Sequence, residues 1–409
     1  MAESAGIYIS VPFCKAKCTF CNFASGVFGV ERMQQYVGRL CEEIRGAGAA
    51  AEKNGAHLLR AVDSVYFGGG TPSLLTGAQF REIFAGLRGE FEVANGAEIT
   101  LECAPGQLSD ETLEELLSQG MNRVSFGVQS FVDRETAAVG RLHTRLQCEA
   151  EVVRVRAAGV AEINVDLIAG LPHQTAESWA YSVEQAIASG APHVSVYMFE
   201  VDEESRLGKE MIEKGSRYGA SAVPLEDETA DWYQEACVAL DAAGLHQYEI
   251  SNFAREGHAS RHNLKYWRRE PYFGFGLDAH SMLRADKGAV RFANTSDLEE
   301  YLGGGAVANA DGLTVLAWRA DASGAVDRIG EAEAFEEALF LGLRLNEGVS
   351  LGSLRGQFGE TMVHAAMPAL LEVRDAGLLE LNSEWMRLTA HGRVVSNEVF
   401  SRLLVDSAA

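Results

Sequence analysis

Through the first 240 residues, short β-branched and apolar runs alternate with helix-length segments, and no other feature restricts the fold of this chain as tightly. The runs are Ile7–Val11, Ser64–Phe67, Ile99–Cys103, Val124–Val128, Ile163–Ile168 and Val194–Tyr197. Between them lie Glu31–Ala50, Gln79–Leu87, Asp110–Leu117, Gln147–Ala158 and Glu177–Ala188, each long enough for a helical crossover. Strands joined by such crossovers pair in parallel, with the helices over their outer face. Thr76 followed by Gln79 predicts a capping box at one helix start. A complete eight-unit barrel needs about 250 residues and two more strands, yet the pattern changes after Leu245. The expectation is therefore an α/β fold, a partial (β/α)6 TIM-like barrel over residues 1–240, with polar groups at the strand C-termini around a shared cavity.

Residues 241–330 read as a linker region, irregular and rich in aromatics over residues 246–305, where His262-Asn263-Leu264-Lys265-Tyr266-Trp267 and Tyr272-Phe273-Gly274-Phe275-Gly276 occur. Residues 331–409 read as a second domain: helices at Ala332–Leu345, Leu351–Phe358 and Met362–Ala376, then a hairpin of Leu378–Leu381 and Trp385–Leu388. That order predicts a helical, winged-helix-like C-terminal domain. Its acidic side chains outnumber its basic ones, which favours packing or protein contact over DNA reading.

Charge points the same way for the whole chain. Against 58 Asp and Glu there are 35 Lys and Arg, a formal net charge of −23, whereas a general nucleic-acid binder needs a cationic surface. No basic leader precedes a long apolar stretch, and no run approaches 18 uninterrupted apolar residues, so a cytoplasmic protein is expected. Seven cysteines, an odd number with three tightly clustered, fit a metal site in a reducing compartment better than a disulfide framework. Cys41, Cys103, Cys148 and Cys237 read as small buried hydrophobes.

The cluster is Cys14-Lys15-Ala16-Lys17-Cys18-Thr19-Phe20-Cys21, a C-x3-C-x2-C loop just past the first strand. Three thiolates from one short loop suit three corners of an iron–sulfur cube and leave the fourth iron to a small molecule. Structural zinc and free thiols stay open on spacing alone, although zinc prefers four ligands and no His lies before residue 57. Phe67-Gly68-Gly69-Gly70-Thr71-Pro72 follows the second strand. Its glycines allow close approach of backbone to a ligand, or simply a tight turn, and no Lys-Ser or Lys-Thr follows to make a phosphate loop. Glu102, Gln129, Arg141 and Asp166 lie at or just beyond later strands. Together they offer acceptors for an amine or ribose and a two-pronged donor for a carboxylate, or else ordinary salt bridges.

With these residues in view, the chain resembles the radical S-adenosylmethionine superfamily, in the branch of oxygen-independent coproporphyrinogen III oxidases and related heme chaperones. The likeness runs nearly the full length through IYISVPFCKAKCTFCNF, YFGGGTPS, TLECAPG, NRVSFGVQSF, GRLHT, NVDLIAGLP and YEISNFAREGHASRHNLKYW. It implies a [4Fe-4S] cluster on Cys14, Cys18 and Cys21. It implies S-adenosylmethionine lined by Tyr8, Gly69, Gly70 and Thr71, with Glu102 and Arg141 at its amino-acid end and Gln129 and Asp166 at its ribose. The oxidases usually carry a further Cys two positions after the third, where this chain has Phe23 after Asn22, a departure that argues against oxidase activity.

The HNxxYW element of the heme chaperones is matched by His262, Asn263, Tyr266 and Trp267. The resemblance implies heme here, with an imidazole for the iron and aromatic rings over the macrocycle; packing of this segment on its own core is the alternative. Delivery of heme to respiratory apo-proteins, a reductant for the cluster, a homodimer and peripheral membrane association are further implications. Radical decarboxylation of porphyrinogen propionates is the second functional reading.

Overall fold

The computed structural model describes residues 3–303, 306–308, 314–316 and 327–403. Six parallel strands form its centre: β1 (Ala5–Val11), β2 (Ala61–Gly69), β3 (Glu92–Cys103), β4 (Arg123–Gln129), β5 (Glu162–Ala169) and β6 (His193–Met198). They neighbour one another in sequence order, each followed by helical crossovers. All six expected runs fall inside these strands, and Thr76 and Gln79 form the capping box of helix Gly77–Glu90.

Side-chain parity explains why this sheet curls around a polar interior. Ile7, Ile9, Val11, Val65, Phe67, Leu101, Val124, Phe126, Val165 and Val196 point outward into the main core beneath the helices. The alternate residues align across the strands in rows: Tyr8 opposite Tyr66, Glu102 opposite Ser125, Gly127 opposite Asp166, and Asp166 opposite Ser195. Polar side chains that would be costly in an apolar core thus share one concave face.

Residues 246–293 depart from the irregular linker expected of them. β7 (His246–Gln247) and β8 (Asn252–Ala254) extend the sheet beyond β6; β9 (Tyr272–Phe275), β10 (His280–Arg284) and β11 (Ala289–Ala293) extend it beyond β1. β9 runs parallel to β1, with Gly6 opposite Tyr272 and Tyr8 opposite Gly274. Gly274 is required there, because a Cβ would stand within 2.1 Å of the His280 carbonyl oxygen. Most of residues 304–326, the end of that segment, lies outside the described residues.

The C-terminal part is helical, and its apolar cluster takes in Ile250, Met282 and Ala289 from the barrel side. Helix Glu331–Leu343 packs on Leu351–Asp375, which breaks at Gly359 (φ +83°) into the two expected pieces. Leu379–Leu381 and Trp385–Leu388 form the hairpin, to which Val349–Ser350 adds a third short strand. No described helix is long and apolar enough to cross a membrane.

Candidate functional site

The cysteine loop leaves β1 at the C-terminal end of the barrel, the end where open α/β folds place their ligands. Its base is closed by Cys14 N–H donating to Gly26 O at 2.8 Å and Gly26 N–H to Pro12 O at 2.9 Å. Its tip is held from across the barrel mouth by Thr19 N–H to Val139 O at 3.0 Å and Leu207 N–H to Thr19 O at 2.9 Å. The glycine turn braces the same loop: Gly70 N–H reaches Val11 O at 2.8 Å and Thr71 N–H reaches Phe13 O at 2.7 Å. A Cβ on Gly70 would lie 2.7 Å from Phe13 O and 2.9 Å from Val11 O, so this glycine is there for the loop's backbone. Gly69, at φ +101°, takes the left-handed conformation that favours glycine.

Between the loop and the strand ends lies a cavity of about 390 Å³. Cys14, Cys18, Cys21, Gly69, Gly70, Thr71, Glu102, Gln129, Arg141 and Asp166 all line it, which gathers every residue assigned above to cluster or adenosylmethionine except Tyr8. Ser125, Gly127 and Tyr197 also line it and were missed; strand parity would have found them, since each shares the inner face with a residue that was named.

The walls are built to receive a ligand. Arg141 donates from Nη1 to Cys18 Sγ at 3.6 Å and from Nη2 to Gly127 O, while its buried Nε has no partner in the protein. Gln129 sits at a bulge with φ +68°, an unfavourable conformation for a side-chain-bearing residue, and its buried Oε1 is unpartnered. Asp166 accepts from Ser125 Oγ at 3.0 Å and Asn164 Nδ2 at 2.6 Å. Glu102 accepts from Tyr66 Oη at 2.9 Å and from Gly69 N–H at 3.2 Å, and burial nonetheless pushes its carboxyl up to about 7. A cationic group beside it would return it to the carboxylate.

The donor set fits an iron–sulfur cube. Three thiols face one cavity, yet among the described residues no three His, Cys, Asp or Glu are grouped to hold a metal ion. Three thiolates suit three irons of a cube and leave the fourth to a small molecule, whereas a structural zinc takes four protein ligands. Cys103 also lines the cavity, but burial pushes its thiol up to about 12 and it donates to Ala104 O at 3.4 Å, so it stays a neutral thiol. Cys41 and Cys148 are buried, as expected of small hydrophobes, and Cys237 is half-buried.

Tyr8 faces a second cavity of about 300 Å³ that adjoins the first at Gly69 and Phe23. The HNxxYW segment packs on its own core, the alternative to a heme face. Helix Arg261–Trp267 closes the opposite, N-terminal end of the barrel. Glu98 accepts from Ser260 Oγ, Arg261 N–H and His262 N–H at 3.2, 3.1 and 3.0 Å, and Lys265 Nζ meets Asp63 at 2.9 Å. His262 is 1% exposed. One ring nitrogen bonds Ser64 Oγ at 3.0 Å and the other Tyr266 Oη at 2.9 Å. Burial lowers its pKa to about 3. Both nitrogens of this imidazole are thus engaged in hydrogen bonds within the fold. Asn263 lies in the helix's capped first turn, its N–H donating to Ser260 Oγ at 3.3 Å. Trp267 lies beneath the Arg344 guanidinium, 4.3 Å from the ring centre.

The Radical SAM superfamily model matches residues 8–186 and the HemN C-terminal domain model residues 330–395. Fold and thiol-lined cavity are thus those of the radical SAM class. The heme chaperone HemW of Bacillus subtilis is 30% identical over 398 residues, covering 97% of this chain and 98% of that protein. HemW of Synechocystis is 31% identical over 401 residues, covering 96% and 90%. The coproporphyrinogen III oxidase HemN of Escherichia coli shares the fold, with a TM-score of 0.80 over 98% of this chain and 90% of that structure at 23% identity. The chain belongs to the HemW family, in the HemN-like branch of the radical SAM superfamily.

Proposed function

We propose that this protein is a heme chaperone that binds heme and hands it to respiratory apo-proteins, and that it carries a [4Fe-4S] cluster on Cys14, Cys18 and Cys21 with S-adenosylmethionine beside it. The observation that carries the cofactor half is the cavity that gathers three thiols, Glu102, Gln129, Arg141 and Asp166. The heme half is supported by relatives named heme chaperones that match end to end. We read residues 1–240 as the barrel, 241–330 as the segment that widens its sheet and floors it, and 331–409 as the C-terminal domain.

When bound, cluster and sulfonium supply one-electron chemistry; the chain's part is to bind, orient and screen. In this reading Arg141 presents its free Nε to the carboxylate of adenosylmethionine while its Nη1 stabilises the Cys18 thiolate. Glu102, once ionised, holds the amine. Gln129 Oε1 and Asp166 accept from the ribose hydroxyls, and the glycine turn keeps the Cys14 end of the loop at a fixed distance.

Anaerobic reconstitution with iron and sulfide analysis, followed by titration with hemin and transfer to an apo-cytochrome, tests the whole. The expected result is stoichiometric cluster lost in Cys18→Ala, saturable heme binding, and transfer. Absence of heme binding together with anaerobic conversion of coproporphyrinogen III to protoporphyrinogen IX would overturn it in favour of an oxidase.

A further inference from the structure

The second cavity offers what the HNxxYW helix does not. Its walls include Tyr8, Phe23, Tyr266, Tyr272, Leu277 and the exposed His280. The rings are held from behind, so the wall is rigid. Tyr8 stacks on Tyr66 at 6.0 Å, and Tyr266 packs edge-on against Tyr272 at 4.6 Å while its hydroxyl is bound to His262. His280 opens β10 and pairs through its backbone with Ala293. Between Tyr8 and His280 the row across the sheet passes through Gly274, which has no side chain, so the concave face is bare there.

The imidazole itself is exposed and makes no side-chain hydrogen bond among the described residues. Among the described residues it is the only histidine lining either cavity. An unengaged imidazole over an aromatic wall is the donor set for a flat apolar macrocycle with an electrophilic iron at its centre. Small-molecule pockets span about 300–1,000 Å³, so one of about 300 Å³ takes part of such a ring and leaves the rest toward solvent. Partial cover suits a carrier, which must release what it holds.

We infer that heme is seated in this cavity, with His280 as an axial ligand of its iron. The inference rests on the heme-carrier reading and goes beyond it by assigning ligand and place. It also sets the macrocycle against Gly69 and Phe23, residues shared with the thiol-lined cavity, so heme and adenosylmethionine occupy adjoining chambers.

The test is a hemin titration of the full-length, anaerobically reconstituted protein, comparing wild type with His280→Ala and His280→Met and reading the Soret band and the affinity. Expected are at least a tenfold loss of affinity and a displaced Soret band in His280→Ala, return of the wild-type band on adding imidazole, and a thioether-ligated spectrum in His280→Met. Melting temperatures near wild type are expected, because this side chain is exposed and takes no part in the core. Unchanged affinity and band in both variants would overturn the assignment and leave the heme-carrier reading standing. Failure of the wild type to bind hemin would overturn both.

Discussion

Arg141 donates from Nη1 to the Cys18 sulfur at 3.6 Å, a contact that links residues 123 positions apart and joins the cluster loop to the ligand wall. The same guanidinium is pinned to Gly127 O, so its remaining Nε is aimed rather than free to wander. Arg141→Lys keeps the charge and loses the fork. A charge-assisted hydrogen bond is worth about 1.5–3 kcal/mol, or about a tenfold or greater weakening of S-adenosylmethionine binding. Isothermal titration of the reconstituted variant reads this, and an unperturbed affinity would remove Arg141 from the carboxylate site.

Glu102 makes binding pH-dependent with a definite sign. Its carboxyl is raised to about 7 in the free protein, so it is half protonated at neutrality and meets the ligand's ammonium best when ionised. Affinity for S-adenosylmethionine should fall about tenfold per pH unit below 7 and level off above it. Glu102→Gln should bind weakly with a flat profile between pH 5.5 and 8; a profile sloping as in the wild type would assign the titration elsewhere.

Gly70→Ala tests the brace between the glycine turn and the cysteine loop. The added methyl meets Phe13 O and Val11 O at 2.7 and 2.9 Å, and both are backbone atoms that cannot rotate away. Overpacking of this kind costs about 1–3 kcal/mol. A lowered Tm and reduced iron content after reconstitution are the expected outcome, against an iron content and Tm equal to wild type if the loop tolerates the shift.

His262→Ala should behave as a stability mutation. It leaves the Ser64 and Tyr266 hydroxyls without their shared partner and opens a void in the barrel floor, at a cost of about 2 kcal/mol or more. The wild-type ring has its pKa lowered to about 3 by burial, so its contribution to stability is complete above the usual imidazole range and is lost as pH falls toward 3. Chemical denaturation at pH 7 and pH 5 should therefore show a narrower gap for the variant than for wild type. The Soret band of any variant protein that folds should match wild type; a displaced band would return the iron to His262.

Much of this was readable from local pattern. The six strands announce themselves because each is an apolar run of the right length between helix-length segments, and the three cysteines because their spacing is contained in one loop. Glu102, Gln129, Arg141 and Asp166 were placed by their position at strand ends. What stayed hidden depends on partners distant in the chain. β9 carries glycines and aromatics that read as irregular until Gly274 is seen making room for the His280 backbone. His262 looks like a ligand in one dimension; only the fold brings Ser64 to one nitrogen, while Tyr266, one helical turn away, takes the other. Tyr197 carries no motif, and its place in the cavity follows from strand register alone.

β1 is flanked by β2 on one side and β9 on the other, and its starting end rests on the helix that precedes β9. During synthesis the cysteine loop consequently leaves the ribosome long before the strand that completes its scaffold. Until residues 261–275 have emerged and docked, the first strand, from which that loop departs, keeps an edge open to any other strand.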